Sequence, residues 1–200
     1  MIDRTGKVEV QILQKIKDGN EVCGDSYFYR ETDEFFFSAL ADGLGSGRVA
    51  LESSETVTRM AEKHIDEPLD VILQKCNESF IGSRKRGSVV GLLRIDFQKQ
   101  TYSFANIGNI SMITFSNGDV KRNIPSQGYL PTSRKKFSIH ENSLKNNSTL
   151  LMFSDGINAS QLKQTFQQSC SVTDTINALK QNENNDDATL IAITFKNEEG

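Results

Sequence analysis

The sequence predicts an α+β protein in which two antiparallel sheets pack together with helices outside. Three observations point there. Apolar runs come in pairs divided by short polar turns, one of them carrying Asn117-Gly118. Helical stretches come in pairs between those hairpins. No repeat, long linker or break in composition divides the 200 residues, so residues 1–200 are expected to form one domain.

The elements follow in order. VEVQILQ (8–14) alternates at Val8, Val10 and Ile12, as a half-buried strand does. CGDSYFYR (23–30) and FFFSALAD (35–42) flank the polar ETDE (31–34) and read as a hairpin. With the turn centred between Asp33 and Glu34, Asp25 falls opposite Asp42. A glycine-rich loop, GLGSG, then opens a helix over GRVALESSETVTRMAEKHI (47–65). In the next helix, DEPLDVILQKCNESF (66–80), Pro68 suits a first-turn position. Leu69, Ile72 or Leu73, Cys76 and Phe80 form one apolar stripe there.

Two more hairpins are expected in GSVVGLLRIDFQKQTYSFANIGN (87–109) and SMITFSNGDVKRN (111–123). KKFSIH (135–140) is a short strand, and the polar ENSLKNNS (141–148) a loop. TLLMFSDG (149–156) is a strand ending in an acid. Two short amphipathic helices follow, SQLKQTFQQ (160–168) and SVTDTINALK (171–180), the second with Ser171 as N-cap. DATLIAITF (187–195) is the last strand.

Composition narrows the function. An apolar content of 36 %, a charged content of 24 % and a net charge of -3 describe an ordinary soluble protein with no general footprint for nucleic acid or anionic membrane. MIDRTGKVEVQ lacks a signal-peptide core, and no apolar run approaches the ~20 residues of a membrane span. Cys23, Cys76 and Cys170 form no CxxC pair, so neither a disulfide framework nor a zinc site is expected. Each reads as a small buried or half-buried hydrophobe in a reduced, cytoplasmic protein.

The acids carry the chemistry. Asp42 and Asp155 end apolar strands and each precedes a glycine, while Asp25 and the pair Asp186-Asp187 open strands. In antiparallel sheets the end of one strand lies beside the start of its neighbour, so Asp155 can meet Asp186 as Asp25 meets Asp42. Facing carboxylates repel, and a cation removes the penalty. A carboxylate cluster without histidine or cysteine suits magnesium, manganese or calcium. Gly43 lets its carbonyl approach an ion. Strand alternation sends Asp186 and Asp187 to opposite faces, so only one is expected to be a direct ligand. Taken singly, each Asp-Gly reads equally as a capped turn.

In order and spacing, CGDSYF, ADGLGSG, FSDG and DDATLI resemble the PP2C-type metal-dependent serine/threonine phosphatases, in particular the small bacterial branch that regulates sigma factors. The resemblance spans essentially the whole chain and implies an αββα four-layer sandwich with two Mn²⁺ or Mg²⁺ ions at one end. Carried over, Asp42 bridges both ions, Asp25 and the Gly43 carbonyl help hold one, and Asp155 and Asp186 hold the other. These aspartates are then catalytic through water activated by the ions. RGSVVGLL resembles the family's central strand, with Val89 where threonine is more usual. Leu44 stands where larger enzymes have a histidine, and Gly24 where they have a glutamate. The resemblance also implies phosphorylated stress-signalling scaffold proteins, of the stressosome type, as partners of a monomeric enzyme. Its effect would be negative feedback on a general-stress sigma factor.

SRKRG (83–87) and SRKKF (133–137) are basic clusters that read first as solvated loops. As phosphoprotein contacts, Arg84 and Arg86 are the better candidates. Ser46 reads as a helix-start residue, and His64 and His140 show no acid partner. Two competitors stay open here: a non-enzymatic binding module of the same fold, and a calcium-stabilised adhesion sandwich, which the missing secretion signal disfavours.

Overall fold

The computed structural model describes residues 2–123, 125–133, 136–182 and 185–196. Its elements are β1 (Ile2–Thr5), β2 (Val8–Lys15), β3 (Asp25–Glu31), β4 (Phe35–Gly43), α1 (Arg48–Lys63), α2 (Leu69–Glu78), β5 (Ser88–Asp96) and β6 (Thr101–Ile107). They continue as β7 (Ser111–Ser116), β8 (Asp119–Arg122), β9 (Ile139–Ser143), β10 (Thr149–Phe153), α3 (Ala159–Ser169), α4 (Val172–Lys180) and β11 (Ala188–Phe195). One sheet runs β1-β2-β11-β10-β7-β8 and the other β3-β4-β5-β6-β9, and every pairing is antiparallel.

Strand alternation builds the four layers. Val10, Ile12, Leu150, Met152, Ile191 and Ile193 of the first sheet meet Phe36, Leu40, Leu93, Ile95 and Phe104 of the second in one buried cluster. The opposite face of the second sheet, through Phe37, Ala39, Val90 and Leu92, packs on Val57 and Ala61 of α1 and on Ile72, Leu73 and Cys76 of α2. The opposite face of the first sheet, through Leu151, Phe153 and Leu190, packs on Leu162 and Phe166 of α3 and on Ile176 and Leu179 of α4. The αββα sandwich expected from the sequence is the fold.

Local chemistry explains most boundaries. Asn117 and Gly118 both take positive φ, 49° and 86°, as the tight hairpin between β7 and β8 requires. Ser171 caps α4 through Asp174 N–H, and Asn158 caps α3. Pro68 is the N-cap of α2 rather than a residue of its first turn.

Three features differ from expectation. β1 has no counterpart in the sequence reading. β9 begins at Ile139 and takes in Glu141–Ser143, which read as loop; this edge strand is largely exposed, so it carries no apolar alternation. Cys170 is exposed, in a left-handed turn ending α3, whereas Cys23 and Cys76 are buried as expected. Among the described residues no helix is long and apolar enough to cross a membrane.

Leu40 is fully buried between the sheets. Leu40→Ala is expected to lower unfolding stability by about 2–5 kcal/mol, read from urea titration with the slope unchanged.

Candidate active site

The hairpin register places the first two acids. Asp25 pairs with Asp42, Tyr27 with Leu40 and Tyr29 with Ser38. Asp42 shares the alternation of Phe36 and Leu40, so both acids lie on the inner face of their sheet, at its end. Ser154, just beyond β10, reaches across from the other sheet: its hydroxyl donates to Asp25 Oδ2 at 2.7 Å while accepting from Thr189 N–H at 2.9 Å. Gln14 adds a bond from its amide to the Asp25 carbonyl at 3.2 Å. The two sheets are thus joined at the acid end by hydrogen bonds rather than by apolar packing.

Asp155 follows Ser154 and has the opposite alternation. Asn109, in the β6–β7 turn, donates to Asp155 Oδ2 at 2.6 Å. Asp155 and Asp186 line one cleft together. Asp187 is spent otherwise: its two oxygens accept from the backbone N–H of Lys17 and of Gly24, each at 2.9 Å. Asp186 remains exposed, with Lys17 Nζ at 3.5 Å. Both residues lie just before β11, which begins at Ala188, so strand alternation does not reach them, and Asp187 organises the β2–β3 loop.

The glycines follow from close approach. A methyl group on Gly43 would lie 1.8 Å from the Ala50 carbonyl oxygen, where α1 crosses the strand end. One on Gly156 would lie 2.1 Å from the Asp187 carbonyl oxygen, so both Asp-Gly steps let a neighbouring backbone reach the acids. Gly45 and Gly47 take positive φ in the loop that starts α1. Ser46 in this loop exchanges hydrogen bonds with the Asn20 side chain, tying it to the β2–β3 loop.

The carboxylates are under strain from burial and from each other. Burial pushes the Asp42 carboxyl up to about 8, and Asp25, Asp155, Asp186 and Asp187 all add to the rise. Burial pushes Asp25 up to about 6 against the hydrogen bonds of Ser154 and Thr189, with Asp187 and Asp155 raising it further. Asp155 is raised by burial and then by Asp186. Among the described residues Asp25 Oδ1 is buried with no hydrogen-bond partner. An unpartnered buried carboxylate oxygen beside mutually repelling acids fits a divalent cation. Among the described residues no three His, Cys, Asp or Glu side chains close on one point, so backbone carbonyls and water would complete each ion's shell.

The remaining candidates separate. Arg86 Nη1 lies 3.4 Å from where a methyl group on Gly45 would sit, beside the glycine loop. Arg84 is exposed on the same loop between α2 and β5, and Lys85 donates to the Thr56 hydroxyl of α1. Arg134 and Lys135 of the second basic cluster lie outside the described residues. His64 does have an acid partner: its Nδ1 is 2.9 Å from Glu67 Oε1, at the end of α1 remote from the acids. His140 is exposed on β9. Sequence reasoning missed Ser154, Asn109 and the bonds of Asp187. Only adjacency to Asp155 could have pointed to Ser154, and no local signal marks Asn109.

Residues 37–196 match the family model described as stage II sporulation protein E (SpoIIE). The chain belongs to the SpoIIE family. It is 29 % identical over 180 residues to phosphoserine phosphatase RsbX of Bacillus subtilis (strain 168), covering 90 % of this chain and 89 % of the relative. The crystal structure of RsbX in complex with magnesium superposes with a TM-score of 0.90 at 28 % identity, covering 98 % of this chain and 99 % of the other. A structure described as "The bacterial stressosome: a modular system that has been adapted to control secondary messenger signaling" shares the fold, with a TM-score of 0.80 at 22 % identity over 94 % and 100 % of the chains. This SpoIIE-family chain is therefore a PP2C-type serine/threonine phosphatase, of a family that depends on metal.

Asp25 and Asp42 bind protons more tightly folded than the ~3.9 of an unfolded aspartate. Their contribution to stability is full below about pH 4 and is lost as pH rises through about 6 and then about 8. In chelator, the midpoint of thermal unfolding should be higher at pH 5 than at pH 8. Manganese should raise it by several degrees at pH 8 and by less at pH 5, as read by scanning fluorimetry.

Proposed function

We propose that this SpoIIE-family phosphatase dephosphorylates phosphoserine and phosphothreonine on stressosome-type scaffold and antagonist proteins. In that way it exerts negative feedback on a general-stress sigma factor. The observation that carries the enzymatic core is the meeting of two acid pairs from two sheets at one end of the sandwich, with a buried carboxylate oxygen left unpartnered. Support for the substrate class comes from the likeness to a phosphoserine phosphatase over most of both chains. The fold shared with the stressosome-described structure suits the same setting.

In this reading Asp25, Asp42 and the Gly43 carbonyl would hold one Mn²⁺ or Mg²⁺ ion, Asp155 and Asp186 would hold a second, and the charge of Asp42 would serve both. Bound ions supply Lewis acidity toward water and toward the phosphoryl oxygens. The chain's own residues do the rest. Ser154 holds one oxygen of the Asp25 carboxylate and leaves the other without a partner among the described residues, and Asn109 holds one oxygen of Asp155. Arg86, beside the glycine loop, offsets charge on the phosphoryl group, with Arg84 further out on the same loop. No nucleophilic side chain is needed, because water attacks phosphorus in line with the departing serine oxygen. We place the protein in the cytoplasm, as a monomer, with residues 1–200 as one phosphatase domain.

The deciding measurement is phosphate release from candidate phosphoproteins with and without Mn²⁺; failure of every divalent metal to support turnover would favour a binding module instead. Asp42→Asn should lose at least ~100-fold in kcat at saturating manganese while its circular dichroism is unchanged, since it removes the carboxylate shared by both ions. The same variant should be more stable than the parent in chelator at pH 8, because it relieves repulsion. Substantial turnover by Asp42→Asn with manganese present would count against this ligand set.

A further inference from the structure

Next to the acid cluster lies a separate open cleft of about 320 Å³, with Val89, Gly108, Asn109 and residues 125–128, among them Pro125, Ser126 and Gln127, in its walls. It borders the acids on two sides. Val89 is the cross-strand partner of Asp42, and the amide of Asn109 is bonded to Asp155. The cleft is built into the fold. Gly108 N–H donates to the Ser126 carbonyl at 2.7 Å, and the Ser126 hydroxyl donates to the Asn106 carbonyl at 2.6 Å. Two backbone bonds between Ser88 and Leu130 continue the same wall. Gly108 is required at its floor: φ is 92°, and a methyl group there would lie 2.2 Å from Val89 Cγ1.

These internal bonds occupy two of the cleft's three polar side chains. The Asn109 amide is turned to Asp155 and the Ser126 hydroxyl to Asn106, so the surface offered is the methyl groups of Val89, the ring of Pro125 and the glycine backbones, with the uncharged Gln127 at the exposed side. Among the described residues no charged side chain lines the cleft. A phosphoryl group held at the acids puts the flanking residues of its peptide close by, because consecutive Cα atoms are ~3.8 Å apart.

Resting on the phosphatase reading above, we infer that this cleft receives an uncharged aliphatic side chain one or two positions from the phosphorylated residue and so selects among substrate sequences. An aliphatic group gains from leaving water there. A glutamate would lose hydration with no cation to meet it in the lining and would lie near the Asp155 carboxylate that Asn109 holds. Size matters as well: Val89→Leu takes space from the cleft, and Val89→Thr keeps its shape but adds a hydroxyl.

The test is a set of phosphoserine peptides carrying Ala, Val, Leu or Glu at each of the two positions on either side. Turnover is measured with manganese, and binding of the matching non-hydrolysable phosphonate peptides by calorimetry. At one position Val or Leu should exceed Glu by about tenfold or more in both kcat/KM and affinity. Val89→Leu should lower the Leu-to-Ala ratio at that position at least threefold, and Val89→Thr should lower the Val-to-Glu ratio. Equal values for all four residues at every position, or ratios unchanged in both variants, would overturn the cleft while leaving the phosphatase intact. Absent turnover of every peptide and of p-nitrophenyl phosphate, with the binding preference kept, would overturn the phosphatase reading and leave the cleft standing.

Discussion

The end of this sandwich is governed by repulsion between carboxylates that the fold forces together. Four strand ends from two sheets converge there with an acid at or beside each, and the charged forms of Asp25, Asp42 and Asp155 are opposed by burial and by their neighbours. Such an arrangement costs stability unless positive charge is supplied. The backbone cannot spread the acids apart, because their positions are consequences of pairings that run the length of the strands. Asp25 is tied to Asp42 by the same register that pairs Tyr27 with Leu40. The apolar core of the sandwich thereby holds the acids in place, and a cation is the remaining means of relief.

Close packing decides which acids are available for that cation. Gly24 has no room for a side chain: a methyl group would lie 2.8 Å from Ala50 Cβ and 2.9 Å from Asp187 Oδ2. The corner where larger relatives in the PP2C family carry a glutamate is filled here by Asp187, whose oxygens are both taken by backbone N–H groups. Its charge still acts on Asp25 and Asp42, yet its lone pairs are committed to the loop. One acid of the cluster therefore serves architecture while adding to the charge that an ion offsets.

Much of this was legible in the sequence because hairpins are local. The centre of the ETDE turn sets every pair in β3 and β4, so the opposition of Asp25 and Asp42 follows from counting. Likewise Asn117-Gly118 marked its own turn. What escaped depends on contacts between distant segments. Ser154 reaches Asp25 from the other sheet, and Asn109 reaches Asp155 from a turn dozens of residues away. β9 escaped for a different reason: as an exposed edge strand it buries no face, so selection left no apolar period to read.

The same logic bears on how the departing serine oxygen gains its proton. Leu44 follows the Asp-Gly step and has no proton to give; its backbone N–H is bonded to the Gly87 carbonyl. His64 is paired with Glu67 at the far end of α1, ~22 Å along the helix from its start. His140 sits exposed on the outer strand of its sheet. Neither histidine of the chain is therefore placed by the fold among the acids, and Asp155 and Asp186 line an open cleft. In the reaction proposed above, water would then be the proton source. A serine alkoxide leaving into such a site would depend on charge compensation at phosphorus more than on a positioned acid, which is the part the proposal gives to Arg86 beside the glycine loop.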